Sequence, residues 1–171
     1  MSVQVTTIDL DAELIDVSQR FGIKVYWGDG RRMEILRAAG IQHAGLLIYA
    51  IDGAWDPVTT LGPIRTEWPD LPILARAFDR MHLLALRRAG VETVVRETFE
   101  SGVAMGREAL AILGTPGPMV DAIEAEFRRR DAERLDLQLS SDDPTTGSET
   151  LIRGALNFDP AALGEIPMEE A

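Results

Sequence analysis

Apolar and polar positions along the first half of the chain alternate between two periods. Val3 to Ile8 is rich in β-branched residues and runs into Asp9, whereas Leu14, Val17 and Phe21 follow helical spacing across 12 to 21. Gly22 then stands where a left-handed cap belongs. The same rhythm returns: Ile23 to Trp27 predicts a strand, and Arg31 to Ala39 a helix closed by Gly40. Leu46 to Ile51 is apolar without alternation, the pattern of a central parallel strand covered on both faces. A helix is predicted over 54 to 67, with Pro57 admissible only near its start and Gly62-Pro63 a break or kink. Pro72 to Ala77 predicts a strand, Asp79 to Ala89 a helix capped by Asp79 and closed by Gly90, and Thr93 to Val95 a short strand. Strand and helix taking turns imply an α/β fold, a parallel sheet with helices on both faces.

The rhythm changes after Arg96. Thr98 to Leu113 predicts a helix opened by Thr98, and Pro118 to about Leu139 a second one across the breaker-rich GTPGP. Phe99, Val103, Gly106, Leu110 and Leu113 share one face of the first helix, and Gly102 and Gly106 lie one turn apart. That apolar face is expected to build a homodimer. The chain therefore divides into 1–97, an α/β unit; 98–139, dimerisation helices; and 140–171, an acidic tail. The polar stretch SSDDPTTGSET cannot bury enough apolar surface to order itself, although LIRGALNF at 151 to 158 has the composition to dock.

Charge sharpens this division. Of the formal net charge of -11, residues 1 to 130 carry 18 acids against 15 bases, and residues 131 to 171 carry 10 against 2. A nearly balanced body offers no broad cationic surface, which argues against nucleic acid as a partner. With no cysteine there is neither a disulfide framework nor a thiolate metal site. MSVQVTTIDL is not a signal peptide, and the longest apolar run, LLIYAI, is far below the roughly 20 residues of a membrane span, so the chain itself is expected to be soluble.

Candidate chemistry collects at the strand ends. Asp9, Asp29 and Asp52 each follow a predicted strand, and open parallel sheets bind ligands at the carboxyl ends of their strands. A carboxylate ending the second strand of a dinucleotide fold accepts hydrogen bonds from ribose hydroxyls, whereas Asp is equally at home as a cap or turn residue. No G-x-G-x-x-G turn precedes Asp9, so either the fold differs or the first strand and helix of a dinucleotide fold are missing from this sequence. The two histidines, His43 and His82, show no metal-ligand spacing, and the sole lysine, Lys24, falls inside a predicted strand. Neither histidine is placed at the strand-end edge. Phe21 reads as core on burial preference, Arg96 beside Glu97 as a surface ion pair, and Arg128 to Arg130 as a solvated face able to pair with the acidic tail.

Several stretches, in their order and spacing, resemble a known family. VTTIDLD, FGIKVYWGDGRRMEILRAAG, AGLLIYAIDG, WPDLPILARAFDRMHLLALRRAGVETVVRETFESG and AILG are similar to the cytoplasmic regulatory domain of Kef-type glutathione-regulated potassium-efflux antiporters, of the RCK or TrkA-N class. The resemblance runs from about Val3 to Asp131. It implies a dimeric Rossmann-like domain that gates a membrane cation:proton antiporter at the cytoplasmic face of the inner membrane. It further implies a nucleotide, NAD(H) or AMP, near Asp9, Leu10, Gly28, Asp29, Gly30 and Asp52, held weakly because the family's Gly-rich loop has no counterpart. A glutathione-like ligand is implied near Phe21, Arg96 and Asp131, the last standing where a characterised member has Asn. No catalytic residue and no metal are implied. The other class left open is a stand-alone NAD(P)-dependent oxidoreductase, which needs an acid or base over the reacting atom.

Overall fold

The computed structural model describes residues 4–21, 25–53, 55–141 and 146. Its strands are β1 (Thr7–Asp9), β2 (Val25–Trp27), β3 (Leu47–Tyr49), β4 (Ile73–Ala77) and β5 (Thr93–Arg96). Between and after them run α1 (Ala12–Arg20), α2 (Met33–Ala38), α3 (Pro57–Glu67), α4 (Arg80–Arg88), α5 (Glu97–Ile112) and α6 (Gly117–Ser140). The alternation predicted from sequence is therefore present, with every strand pair parallel. Gly40 and Gly90 adopt positive φ angles of 92° and 79° just beyond α2 and α4, the left-handed closure expected of them. Gly22 and Lys24, and the tail from 147, lie outside the described residues.

The strands form two sheets: β1 pairs with β2, and β3, β4 and β5 pair in that order. The doubly wound order 3-2-1-4-5-6 explains the division. If β1 to β5 are its second to sixth strands, the observed pairs are those that order requires, and the split falls where its first strand lies. One core still joins the two sheets, because Ile8 and Met33 pack against the cluster holding Tyr49, Ile64, Leu86 and Val91.

Three local expectations fail for physical reasons. β3 is not covered on both faces: Ile48 is 58% exposed, as suits a strand paired on one side only. Of the break or kink expected at Gly62-Pro63, the break does not occur, since α3 runs on to Glu67. Asp56 caps that helix through Val58 N–H at 3.1 Å, Pro57 sits in its first turn, and burial of Pro57, Thr60, Leu61 and Ile64 outweighs the hydrogen bond a proline removes. α5 opens at Glu97 rather than Thr98, because β5 runs straight into it, and the Thr98 hydroxyl donates to Phe78 O at 3.3 Å.

The face of α5 also differs from the one drawn by spacing. Val103 is buried within the chain, and Phe99 stacks on Phe127 of α6 with ring centroids 5.5 Å apart. The face left open holds Gly102, Met105, Gly106, Ala109, Ile112 and Leu113, with Leu113 80% exposed.

Candidate functional site

Asp9 and Asp29 come together because β1 and β2 pair in register, with Asp9 opposite Trp27. Gly28 N–H donates to Asp9 O at 2.9 Å and Trp27 Nε1–H to Leu10 O at 3.2 Å, which ties the two strand ends. Gly28 is required by space: a Cβ there would lie 2.9 Å from Cγ2 of Ile35, so glycine lets α2 close onto the corner. Asp9 Oδ1 accepts Asp11 N–H at 2.8 Å, which fixes the direction of its carboxylate.

Asp29 faces Arg31. Its Oδ1 accepts the Arg31 backbone N–H and Nε–H, each at 2.9 Å, and its Oδ2 accepts from the guanidinium NH2 group at 2.8 Å. The Arg31 side chain holds the Asp29 carboxyl below the ordinary aspartate range, against the opposing effect of burial. The next residue, Gly30, offers its carbonyl to the Tyr49 hydroxyl at 2.9 Å. That bond carries the end of β3 to the Asp29 corner and spans the two sheets. Burial first, and then the charge of Asp29, push the Tyr49 hydroxyl pKa upward. Asp52 departs from this group. It lies three residues past β3, its side chain is 99% exposed, and it pairs with Arg76 of β4 at 2.5 Å. Two carboxylates on adjacent strand ends remain, acceptors suited to hydroxyl or amino donors of a ligand.

Arg96 and Asp131 also meet, in a way the sequence did not disclose. Arg96 ends β5, and its guanidinium pairs with Asp131 Oδ2 rather than with Glu97 while lying 3.5 Å over the Phe99 ring. Arg80, in the first turn of α4, donates to Asp131 Oδ1 at 2.6 Å and through Nε to Gln138 Oε1 at 2.6 Å. Burial pushes the Asp131 carboxyl up, but the bonds from Arg96 and Arg80 outweigh it and hold the group below the usual range. Arg96 and Asp131 line a cavity of about 220 Å³ together with Phe99, Glu100 and Arg128. Phe21 does not line this cavity, nor is it core: at the end of α1 it is 79% exposed.

Arg80, Arg134 and Tyr49 were missed in reading the sequence. Asp131, Arg134 and Gln138 at i, i+3 and i+7 share one face of α6, a spacing that carries the signal for Arg134. Arg128 to Arg130 pair with Glu100, Glu124, Glu126 and Glu133 of the two long helices, and the tail expected as their partner lies outside the described residues. His82 does reach the strand-end edge, in the first turn of α4 with Asp79 capping its N–H at 2.8 Å, contrary to the reading of the sequence. It is buried edge-on to Trp55 with ring centroids 5.2 Å apart, and that burial lowers its pKa and keeps the imidazole neutral. Among the described residues no group of three or more acidic or histidine side chains is arranged to hold a metal, and no helix is long and apolar enough to cross a membrane.

Known proteins similar in sequence and in fold bear on this arrangement. The TrkA-N domain profile matches residues 2–97. The glutathione-regulated potassium-efflux system protein of Haemophilus influenzae is 38% identical over 133 residues, 78% of this chain and 22% of that protein. KefC of Escherichia coli O157:H7, named a glutathione-regulated potassium-efflux system protein, is 38% identical over 172 residues, 98% of this chain and 26% of that one. The chain thus spans about a quarter of the length of the curated relatives it matches. Among solved structures, the Kef C-terminal domain of Shewanella denitrificans in its AMP-bound form superposes with a TM-score of 0.63 at 29% identity, covering 79% of this chain and 96% of that one. The TrkA-N domain of the inner membrane protein ybaL from Escherichia coli, at 23% identity and a TM-score of 0.52 over 58% of this chain and 74% of that one, shares the fold. With the profile matched over more than half of the chain and the fold shared with a Kef C-terminal domain, the chain belongs to the TrkA-N family, as a domain of the Kef type.

Proposed function

We propose that this chain is the ligand-reading regulatory domain of a potassium-efflux cation:proton antiporter, and that it receives a nucleotide at the ends of β1 and β2. The observation that carries the reading is the pairing of two fixed carboxylates, Asp9 and Asp29, on adjacent strand ends. The AMP-bound form of the similar Kef domain supports AMP as the first ligand to try, with NAD(H) the second. Leu10, Gly28 and Gly30 shape the corner, and Asp52, exposed and paired with Arg76, stands apart from it. Arg96 and Asp131 belong to a second, glutathione-like regulatory site, to which Phe21, exposed and off their cavity, is assigned by the resemblance alone. The domain works beside the antiporter's membrane part, at the cytoplasmic face of the inner membrane, and does no chemistry. His82, the one histidine at the strand-end edge, is buried and neutral, which suits packing against Trp55 rather than proton transfer to a ligand.

Calorimetry tests this. AMP should bind the 171-residue chain no more tightly than micromolar, since the sequence supplies no glycine loop to cradle the phosphates. Asp9→Ala should weaken binding about tenfold or more, the loss of a charge-assisted hydrogen bond. Submicromolar binding, or no change in Asp9→Ala, would contradict the site. NADH absorbance should stay flat over the purified chain, and steady oxidation would favour an oxidoreductase instead.

We further propose that the chain pairs with a second copy through the open face of α5. Gly102, Gly106 and Ala109 allow close approach, with Met105, Ile112 and Leu113 to bury around them. The edges of β1 and β3 that carry no partner strand among the described residues also favour association. Light scattering should give the mass of two chains, and Leu113→Arg should shift it toward one. Val103→Arg would not report on the contact, because Val103 is buried inside its own chain.

A further inference from the structure

The start of α4, the end of β5 and the second half of α6 bring Arg80, Arg96 and Arg134 to one carboxylate, Asp131. Arg80 and Arg96 both bind Asp131, and burial together with the charges of Arg80 and Arg96 disfavours the charged form of Arg134, which Asp131 partly relieves. The side chains of Arg96 and Asp131 are each 13% exposed, and that of Arg80 is 21% exposed. Arg80 donates twice, to Asp131 and Gln138, yet its NH2 group is buried without a hydrogen-bond partner among the described residues, as is Arg134 Nε. Nearby Glu100 accepts its hydrogen bonds from Arg128 and reaches Arg96 only through its charge, so it offers no acceptor to the unpartnered donors. A group with more buried cation and more buried donors than acceptors is costly by itself and favourable around an anion.

We propose that Asp131 is an internal occupant of a three-arginine anion seat, and that a carboxylate-bearing ligand enters there only by displacing it. A ligand carboxylate offers what Asp131 offers, two oxygens able to bridge Arg80 and Arg96, and it approaches through the cavity that Arg96 and Asp131 already line. Asp131 itself is tethered through α6, so it competes at high effective concentration. This residue therefore sets the affinity of the site by occupying it. The inference rests on the reading of Arg96 and Asp131 as ligand-facing, and it does not depend on the nucleotide corner at Asp9.

The test compares the full chain with Asp131→Asn, using reduced glutathione, which carries two free carboxylates, and its diethyl ester, which carries none. Asparagine keeps one acceptor oxygen but no charge, so glutathione should bind the variant at least tenfold more tightly than the parent. The diester should bind neither. Adding Arg134→Met to Asp131→Asn should remove most of the gain. Thermal unfolding gives a second readout: glutathione should raise the midpoint of Asp131→Asn and leave that of the parent in place, and Asp131→Ser replaces the variant if asparagine does not fold. Equal binding by parent and variant, or an equal gain with the diester, overturns the proposal. AMP titration of the same samples keeps the outcomes apart. If AMP binds and Asp131→Asn brings no gain, the internal occupant is refuted while the regulatory reading stands.

Discussion

Leu86→Ala should lower the unfolding free energy by about 2–5 kcal/mol, with a fall in melting temperature on the order of 10 °C. Leu86 lies on α4 with no exposed surface, in the cluster that includes Ile73 and Ala75 of β4 and Leu61 and Ile64 of α3. Truncation removes the transfer free energy of three carbons and leaves a cavity. The wall on the sheet side is backbone-paired on both edges of β4 and cannot collapse into it. Two comparisons separate packing from mere loss of apolar mass. Ile64→Val, one methylene in the same cluster, should cost about 0.5–1.5 kcal/mol. Val58→Ala, at an exposed position on α3, should move stability by less than about 0.5 kcal/mol. Urea denaturation checks all three. A cost below 1 kcal/mol for Leu86→Ala would mean that the two sheets do not share a rigid core.

The core around Leu86 was legible from sequence because it is local in origin. Leu83 and Leu86 follow from the helical spacing behind the Asp79 cap, and the β4 positions follow from a strand buried on alternate residues. The acids at the strand ends were legible for the same reason, since Asp9 and Asp29 are placed by the strands that precede them. What could not be read is set by contacts distant along the chain. Arg80 and Asp131 are separated by 51 residues, and Arg96 and Asp131 by 35. Neighbouring residues offered Arg96 only Glu97, which pairs with Arg76 instead. The face of α5 was misread because a single periodicity cannot say which of two apolar stripes meets α6. Pro63 was misread because backbone chemistry was weighed without the burial of Leu61 and Ile64 beside it.

Asp131→Ala should be as damaging as the loss of Leu86, for an electrostatic reason. Removing one partner of a largely buried ion pair leaves charge that water cannot reach, a cost of about 3 kcal/mol or more. Here Arg80 and Arg96 lose their shared acceptor together, and Arg134 loses the one charge that favours its own. Adding Arg96→Met to Asp131→Ala should restore part of the loss by lowering the uncompensated charge, a coupling of about 0.5–3 kcal/mol in a double-mutant cycle. Strict additivity would mean that Arg96 and Asp131 do not interact. The pH dependence follows with a definite sign. The Asp131 carboxyl titrates lower in the folded chain than the roughly 3.9 of an unfolded one, so the folded state binds fewer protons. Its contribution is complete above that value and is lost as pH falls through the depressed folded-state pKa. Melting temperature should therefore hold from pH 7 to about 5 and drop steeply below about 4. Asp29, held low by Arg31, adds to the same limb and survives in Asp131→Ala. The variant should start from a lower plateau and show a shallower acid decline. A parent and variant that lose stability by equal amounts between pH 5 and 3 would place the acid sensitivity on other carboxylates and leave Asp131 without a paired charge.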